Sequence, residues 1–248
     1  MSVLQIDELK QIPGVKFEEP NSKLAENDGV LSSGFTLPKA HMDLLAISNG
    51  MSICDGYYKL FGLYNEKNKN LEIWNEREYW KFAWEGRVDN FLCFATTVWG
   101  DQYAYRISSV EQGEATPIFF LHAFSMEADL IANSFEEFWQ KNFIRKAKDP
   151  NDEMVTKCRA SIGPLGWDEF LVYNPPLELG GTEDVSSLSK MQPRPAMIIN
   201  ADLAMGMEKL SDDTVIEGVD TYVDSLGRMS IRYVTSDASP KKFPFKFW

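Results

Sequence analysis

Residues 91–107 constrain this chain most. The apolar run Phe91–Val98 meets a tight Trp99-Gly100-Asp101-Gln102 turn and then Tyr103-Ala104-Tyr105-Arg106-Ile107. Two β-prone runs joined by a glycine-containing turn predict an antiparallel hairpin, with Gly100 supplying the backbone freedom. Strand periodicity puts Tyr103 and Tyr105 on one face and Ala104 and Arg106 on the other. Pro117–Leu121 continues the meander after a connection through Glu111-Gln112-Gly113-Glu114. Asp101 is expected to hydrogen-bond the backbone of its own turn.

The flanking segments read as helices and one further strand. Leu4, Ile6 and Leu9 begin a short helix before Pro13-Gly14, and the polar stretch 18–34 reads as loop. Leu37-Pro38 opens a helix whose Leu37, His41, Leu44 and Leu45 share one face at roughly 3.6-residue spacing. Asn49-Gly50 stops it, because both residues enter the left-handed conformation readily. Tyr57–Leu63 reads as a strand. Ile73, Arg77, Trp80 and Trp84 then fall on one side of a helix, with Lys69, Arg77 and Lys81 among Glu72, Glu76 and Glu78 on a solvated face. Downstream, Ser134 and Glu137 form a capping-box signature. Phe135, Phe138, Trp139 and Phe143 give an apolar stripe that runs into Arg145-Lys146-Ala147-Lys148, charges suited to a helix C-terminus. Leu44, Leu45, Phe61, Phe94, Phe119, Phe138 and Trp139 are expected in one core.

The order helix, Asn-Gly, strand meander and aromatic-Gly-Asp turn resembles the SMI1/KNR4 family, also called the SUKH superfamily, over roughly residues 30–146. That resemblance implies an α/β (α+β) fold with helices packed on a twisted, mainly antiparallel sheet. It also implies a binding protein rather than an enzyme. Bacterial members look like immunity proteins that neutralise toxins, and fungal members are implicated in cell-wall synthesis and signalling. Toxin-binding residues vary across such proteins, so no recognition site carries over to particular positions.

A second region follows Asp149-Pro150. Gly163-Pro164, Gly166-Trp167 and Asn174-Pro175-Pro176-Leu177-Glu178-Leu179-Gly180-Gly181 are turn-rich, and the last is no phosphate loop because Gly-Lys-Ser/Thr is missing. Met197–Ile199 reads as a short strand, and Val215–Val223 with Met229–Val234 flank Asp224-Ser225-Leu226-Gly227-Arg228 as a hairpin. Asn174-Pro175-Pro176-Leu177, Gly180-Gly181, Asn200-Ala201-Asp202-Leu203 and Tyr222–Arg228 resemble the C-terminal extension of some bacterial SMI1/KNR4-type proteins. Two parts are therefore expected: 1–148 as the SUKH-like domain and 149–248 as a β-rich extension packed on it.

Composition narrows the function. The 248 residues are 44% hydrophobic and 13% aromatic, enough for an ordered core. The formal charge of -12, from 25 basic and 37 acidic residues, opposes binding to a phosphate backbone, and no long basic run offsets it. The charge suits docking onto a basic protein. Cys54, Cys93 and Cys158 lack any CxxC spacing and are expected as reduced, buried thiols. Met1–Glu8 shows no basic start leading into an apolar run, and no stretch approaches about 18 apolar residues. No signal peptide or membrane span is expected, which points to the cytoplasm.

No catalytic, cofactor or metal set stands out. His41 and His122 are the only histidines. His41 is expected to be packed and hydrogen-bonded, and His122 to pack beside the following helix. Neither belongs to HExxH, and no cysteine is placed for zinc. Among the carboxylates Asp202 (expected beside a strand), Asp220 and Asp224 are the candidates for acid–base chemistry, against a simple structural role at strand ends. The expected function is binding of a protein partner, a cognate toxin, with no cofactor. The alternatives are a scaffold or regulator with a housekeeping partner, then a carboxylate-based hydrolase.

Overall fold

The computed structural model describes residues 6–26, 29–107, 116–224 and 227–237. The Glu111–Glu114 connection, Leu4 and the Ser225-Leu226 pair lie outside these. In chain order the elements are α1 (Ile6–Leu9), β1 (Lys16–Phe17), α2 (Lys39–Ile47), β2 (Met51–Ile53), β3 (Tyr58–Leu60), α3 (Leu71–Asn75), β4 (Phe91–Thr97), β5 (Gln102–Arg106), β6 (Ile118–Leu121), β7 (Ala128–Ala132), α4 (Phe135–Phe138), α5 (Arg145–Lys148), α6 (Glu153–Ser161), β8 (Phe170–Tyr173), β9 (Leu188–Met191), α7 (Pro193–Met207), β10 (Thr214–Val223) and β11 (Met229–Asp237).

Strands β1 to β7 form one sheet in simple sequence order, each pair antiparallel. Strands β8–β9 and β10–β11 form two separate antiparallel pairs. The fold is thus α+β, with additional strands toward the C-terminus.

Both faces of the large sheet are covered. On one, Phe94 stacks on Tyr105 and meets Phe135 and Phe138 of α4 edge-on, while His41 of α2 stacks on Phe135. On the other, Trp74 of α3 stacks on Phe61 and donates its Nε1–H to Gln102 Oε1 at 2.8 Å. Gln102 in turn reaches Met197 of α7. Every residue of β4 is buried as a result, so Phe91–Val98 reads as a continuous apolar run instead of an alternating one. Leu44, Leu45, Phe61, Phe94, Phe138 and Trp139 are buried in one core, with Phe119 half-buried against it.

The second half joins that core directly. Leu171 N donates to Val98 O at 2.8 Å, and Leu165 N to Asp55 O at 2.8 Å. Lys59 of β3, only 1% exposed, donates from Nζ to the carbonyls of Gly166 at 2.6 Å and Glu169 at 2.8 Å. Met197 and Ala201 of α7 are fully buried in the same cluster.

The Trp99–Gln102 turn has the expected form: Thr97 N bonds Asp101 O at 3.0 Å, and Gly100 takes φ +102. Asp101 does more than close its own turn. Its Oδ2 accepts from Thr97 Oγ1 at 2.7 Å, and its Oδ1 accepts from Ala123 N at 2.8 Å, tying the turn to the β6–β7 connection. The Ser134 cap also forms, with its hydroxyl accepting from Glu137 N at 3.2 Å. The helical stretch beyond it passes through a π-helical segment, Trp139–Ile144, into α5.

Five expectations change. Residues 71–84 are not one helix: α3 ends at Asn75, and Lys81–Trp84 is a separate 3₁₀ turn. Lys81 is no solvated charge, because it is buried and donates to Phe91 O at 2.6 Å. Met197–Ile199 is helix rather than strand. Pro193 pre-sets the first turn of α7, and Ala196, Met197, Ala201, Ala204 and Met205 supply a buried helical stripe. Asp202 therefore belongs to a helix and does not follow a strand in the chain. His122 does not pack beside a helix. It is exposed and pairs with Asp129 at 2.7 Å across the β6–β7 connection. Strands β2 and β7 and helix α6 carry too few periodic residues to stand out in the sequence.

Candidate interaction surface

His41, the three cysteines and the three candidate carboxylates are engaged in contacts within the protein, whereas His122 is exposed beside Asp129. His41 is fully buried between Phe94, Tyr105 and Phe135, with Nδ1 3.0 Å from the Tyr105 hydroxyl. Burial pulls its pKa down to about 3, so the ring is neutral at ordinary pH. Cys54, Cys93 and Cys158 are free and buried, as expected, and burial raises all three thiols. Among the described residues no three His, Cys, Asp or Glu side chains gather as a metal site. No helix among them is long and apolar enough to cross a membrane.

The three candidate carboxylates hold the C-terminal hairpin together. Asp202 Oδ2 accepts from Ile231 N at 2.7 Å. Burial raises its pKa, against the lowering effect of that bond. Asp224 closes the hairpin end on Arg228, accepting from Arg228 N and Nε at 2.8 Å. Asp220 pairs with Arg232 at 3.1 Å across the strands. Each carboxylate has a local partner, which favours the structural role over acid–base chemistry.

Two hollows were candidates for a ligand. The cleft between β8 and α7, lined by Leu171, Tyr173, Leu177 and Leu203, has a volume of about 20 Å³, room for one water. A shallow polar hollow of about 380 Å³ is bounded by Glu66, Asn68, Lys69, Trp167 and Asp168. Most of its polar side chains are engaged with protein: Lys69 Nζ and Trp167 Nε1 both donate to Glu18, at 2.7 and 2.8 Å, and Asn68 Nδ2 donates to Asp168 at 2.6 Å.

The hairpin itself is the surface with chemistry left over. It is held through β11 and its closed end. Tyr233 donates from its hydroxyl to Leu203 O of α7 at 3.2 Å, and the Arg228 guanidinium lies 3.5 Å from the Phe82 ring centre. Val215, Val219, Tyr222, Val223, Met229 and Val234 are exposed. Val223 and Met229 lie directly opposite one another, 66% and 71% exposed. Asp212, Asp213 and Glu217 are exposed and make no ion pair among the described residues. The sequence did show this hairpin. It could not show that the valines face water, because alternation reports a face and not what covers it.

The architecture defines a mixed α+β protein in which an antiparallel meander carries helices on both faces and an outlying hairpin. Residues 31–141 match the sequence model of the SMI1 / KNR4 family (SUKH-1). The matched segment runs from the approach to α2 through α4 and holds strands β2 to β7 of the sheet, with β1 outside it. The structure is also similar to the crystal structure of Atu4351 from Agrobacterium tumefaciens, at 12% sequence identity and a TM-score of 0.53, over 95% of this chain and 98% of that one. At that identity the likeness is one of fold. No curated protein matches the sequence.

Proposed function

We propose that this chain is a non-catalytic protein-binding protein, an immunity protein that neutralises a cognate bacterial toxin by direct association. The observation that carries this reading is the SMI1 / KNR4 (SUKH-1) match across residues 31–141. The charge of -12 supports it, since an acidic protein is suited to a basic partner. The commitment of His41, the cysteines and Asp202, Asp220 and Asp224 to internal contacts agrees with a role that needs no bond-making groups. On this reading residues 149–248 are an extension packed on residues 1–148, supported by the Leu171–Val98, Leu165–Asp55 and Lys59 bonds.

The test is co-expression with the products of neighbouring genes, followed by co-purification and a growth-protection assay. A stoichiometric complex that restores growth is the expected result. The association rate should fall with added salt as rim carboxylates are screened. Absence of both complex and protection with every neighbouring product would favour a scaffold or regulator instead.

A further inference from the structure

We infer that the outer edge of β10 is a docking strand for an extended, Lys/Arg-rich segment of the protein partner. This deepens the protein-binding reading and rests on it. The geometry starts from Asp202. Because Ile231 N donates to that carboxylate, the Ile231 amide points away from β10. Ile231 is opposite Thr221, so this pair is of the non-hydrogen-bonded kind, and the Thr221 amide points away from β11. Period-2 alternation gives Val219 and Val223 the same outward direction. The pair β10–β11 has no third strand among the described residues, so these amides and their carbonyls form an open ladder edge.

Exposed edges are usually blunted by Lys, Pro or covering elements. Strand β10, Thr-Val-Ile-Glu-Gly-Val-Asp-Thr-Tyr-Val, has neither Lys nor Pro. A bulge between Ile216 and Gly218 interrupts its base and leaves 218–223 regular. Side chains on both faces of that stretch are exposed, Val219 and Val223 on one and Tyr222 on the other. Charge selects the occupant. Asp212, Asp213 and Glu217 flank the edge without cationic partners among the described residues, so a basic strand gains where an acidic one is repelled. A second copy would set two such acidic edges side by side. This chain's own residues 238–248 are also basic, and Pro240 and Pro244 remove two of their backbone donors, so their deletion is one arm of the test. A partner's strand added to an open edge gains main-chain hydrogen bonds, and alternate side chains set its specificity.

The test uses the full chain and a capped eight-residue peptide alternating Lys and Val. Its controls are a Glu/Val counterpart and a Lys/Val peptide N-methylated at alternate amides. The readout is amide hydrogen exchange by NMR. The expected result is at least tenfold slower exchange at Val219, Thr221 and Val223 with the Lys/Val peptide and no change with either control. Thr221→Pro should abolish this, while Asp220 and Tyr222 amides, bonded to β11, stay protected and so report an intact hairpin. Glu217→Lys should weaken binding at least threefold. Absence of protection, or protection that survives Thr221→Pro, overturns the inference. So does a peptide-free dimer that Thr221→Pro dissolves, or edge protection in the free chain that vanishes on deleting residues 238–248. A toxin complex indifferent to Thr221→Pro would sink the edge while sparing the proposed function. Peptide protection without any neighbouring product that rescues growth would do the reverse.

Discussion

The seven-stranded sheet and the C-terminal hairpin are both antiparallel, and both are rich in aromatic and β-branched residues. They differ in what covers them. Strand β4 has helices over both faces, and every one of its residues is buried. Strand β10 has one neighbour among the described residues, β11, and most of its residues are exposed. The same side-chain chemistry therefore holds the molecule together in one place and remains available to a partner in the other. Burial, not composition, separates a structural strand from a binding one.

The comparison breaks most sharply if core and hairpin respond alike to truncation. Phe94→Ala removes a fully buried ring that contacts Tyr105, Phe135 and Phe138. It should cost about 3–5 kcal/mol in urea unfolding. Gly100→Val forces a β-branched residue to φ +102, and its Cβ would meet Met197 Sδ at 3.0 Å and Asn200 Nδ2 at 3.3 Å. A loss of about 3 kcal/mol is expected. Unchanged unfolding would mean that the turn does not set the β4–β5 register.

Acid gives the third test. His41 titrates near 6.5 when unfolded and near 3 when folded, so only the unfolded state takes up a proton between those values. Stability from this site is full above pH 6.5 and is lost as pH falls toward 3, with about 2 kcal/mol gone by pH 5. His41→Gln should flatten that part of the unfolding-versus-pH curve. The smallest effect belongs to the hairpin. Val223→Ala should change stability by no more than about 0.5 kcal/mol. A loss above 2 kcal/mol there would show that the hairpin belongs to the core and would erase the contrast.

The meander was legible because β4 and β5 signal themselves twice, through an unbroken apolar run and through a glycine turn. The helix at Phe135 was legible from its cap and stripe together. Helix α7 was not. Its buried positions include Ala, Met and Asn200, and the three residues Met197–Ile199, two of them β-branched, are too few to show the helical period. Ile73, Arg77, Trp80 and Trp84 have helical spacing, yet it arises from two short turns that happen to follow one another. Lys59 and Lys81 gave no signal at all. Lysine is ordinarily solvated, and what keeps these two buried is a carbonyl supplied by a distant part of the backbone. The docking edge was invisible for a related reason, since openness is a property of neighbours.

Lys59 has a consequence for how the chain can be divided. It lies inside the matched segment 31–141, but the two carbonyls that receive its ammonium belong to Gly166 and Glu169. It is only 1% exposed, and that burial draws its pKa down to about 7. A fragment trimmed to the recognisable segment would keep the cation and discard its acceptors. Residues 166–169 stand in for water around that ammonium, and a cut placed by sequence similarity would strip this cover from β3.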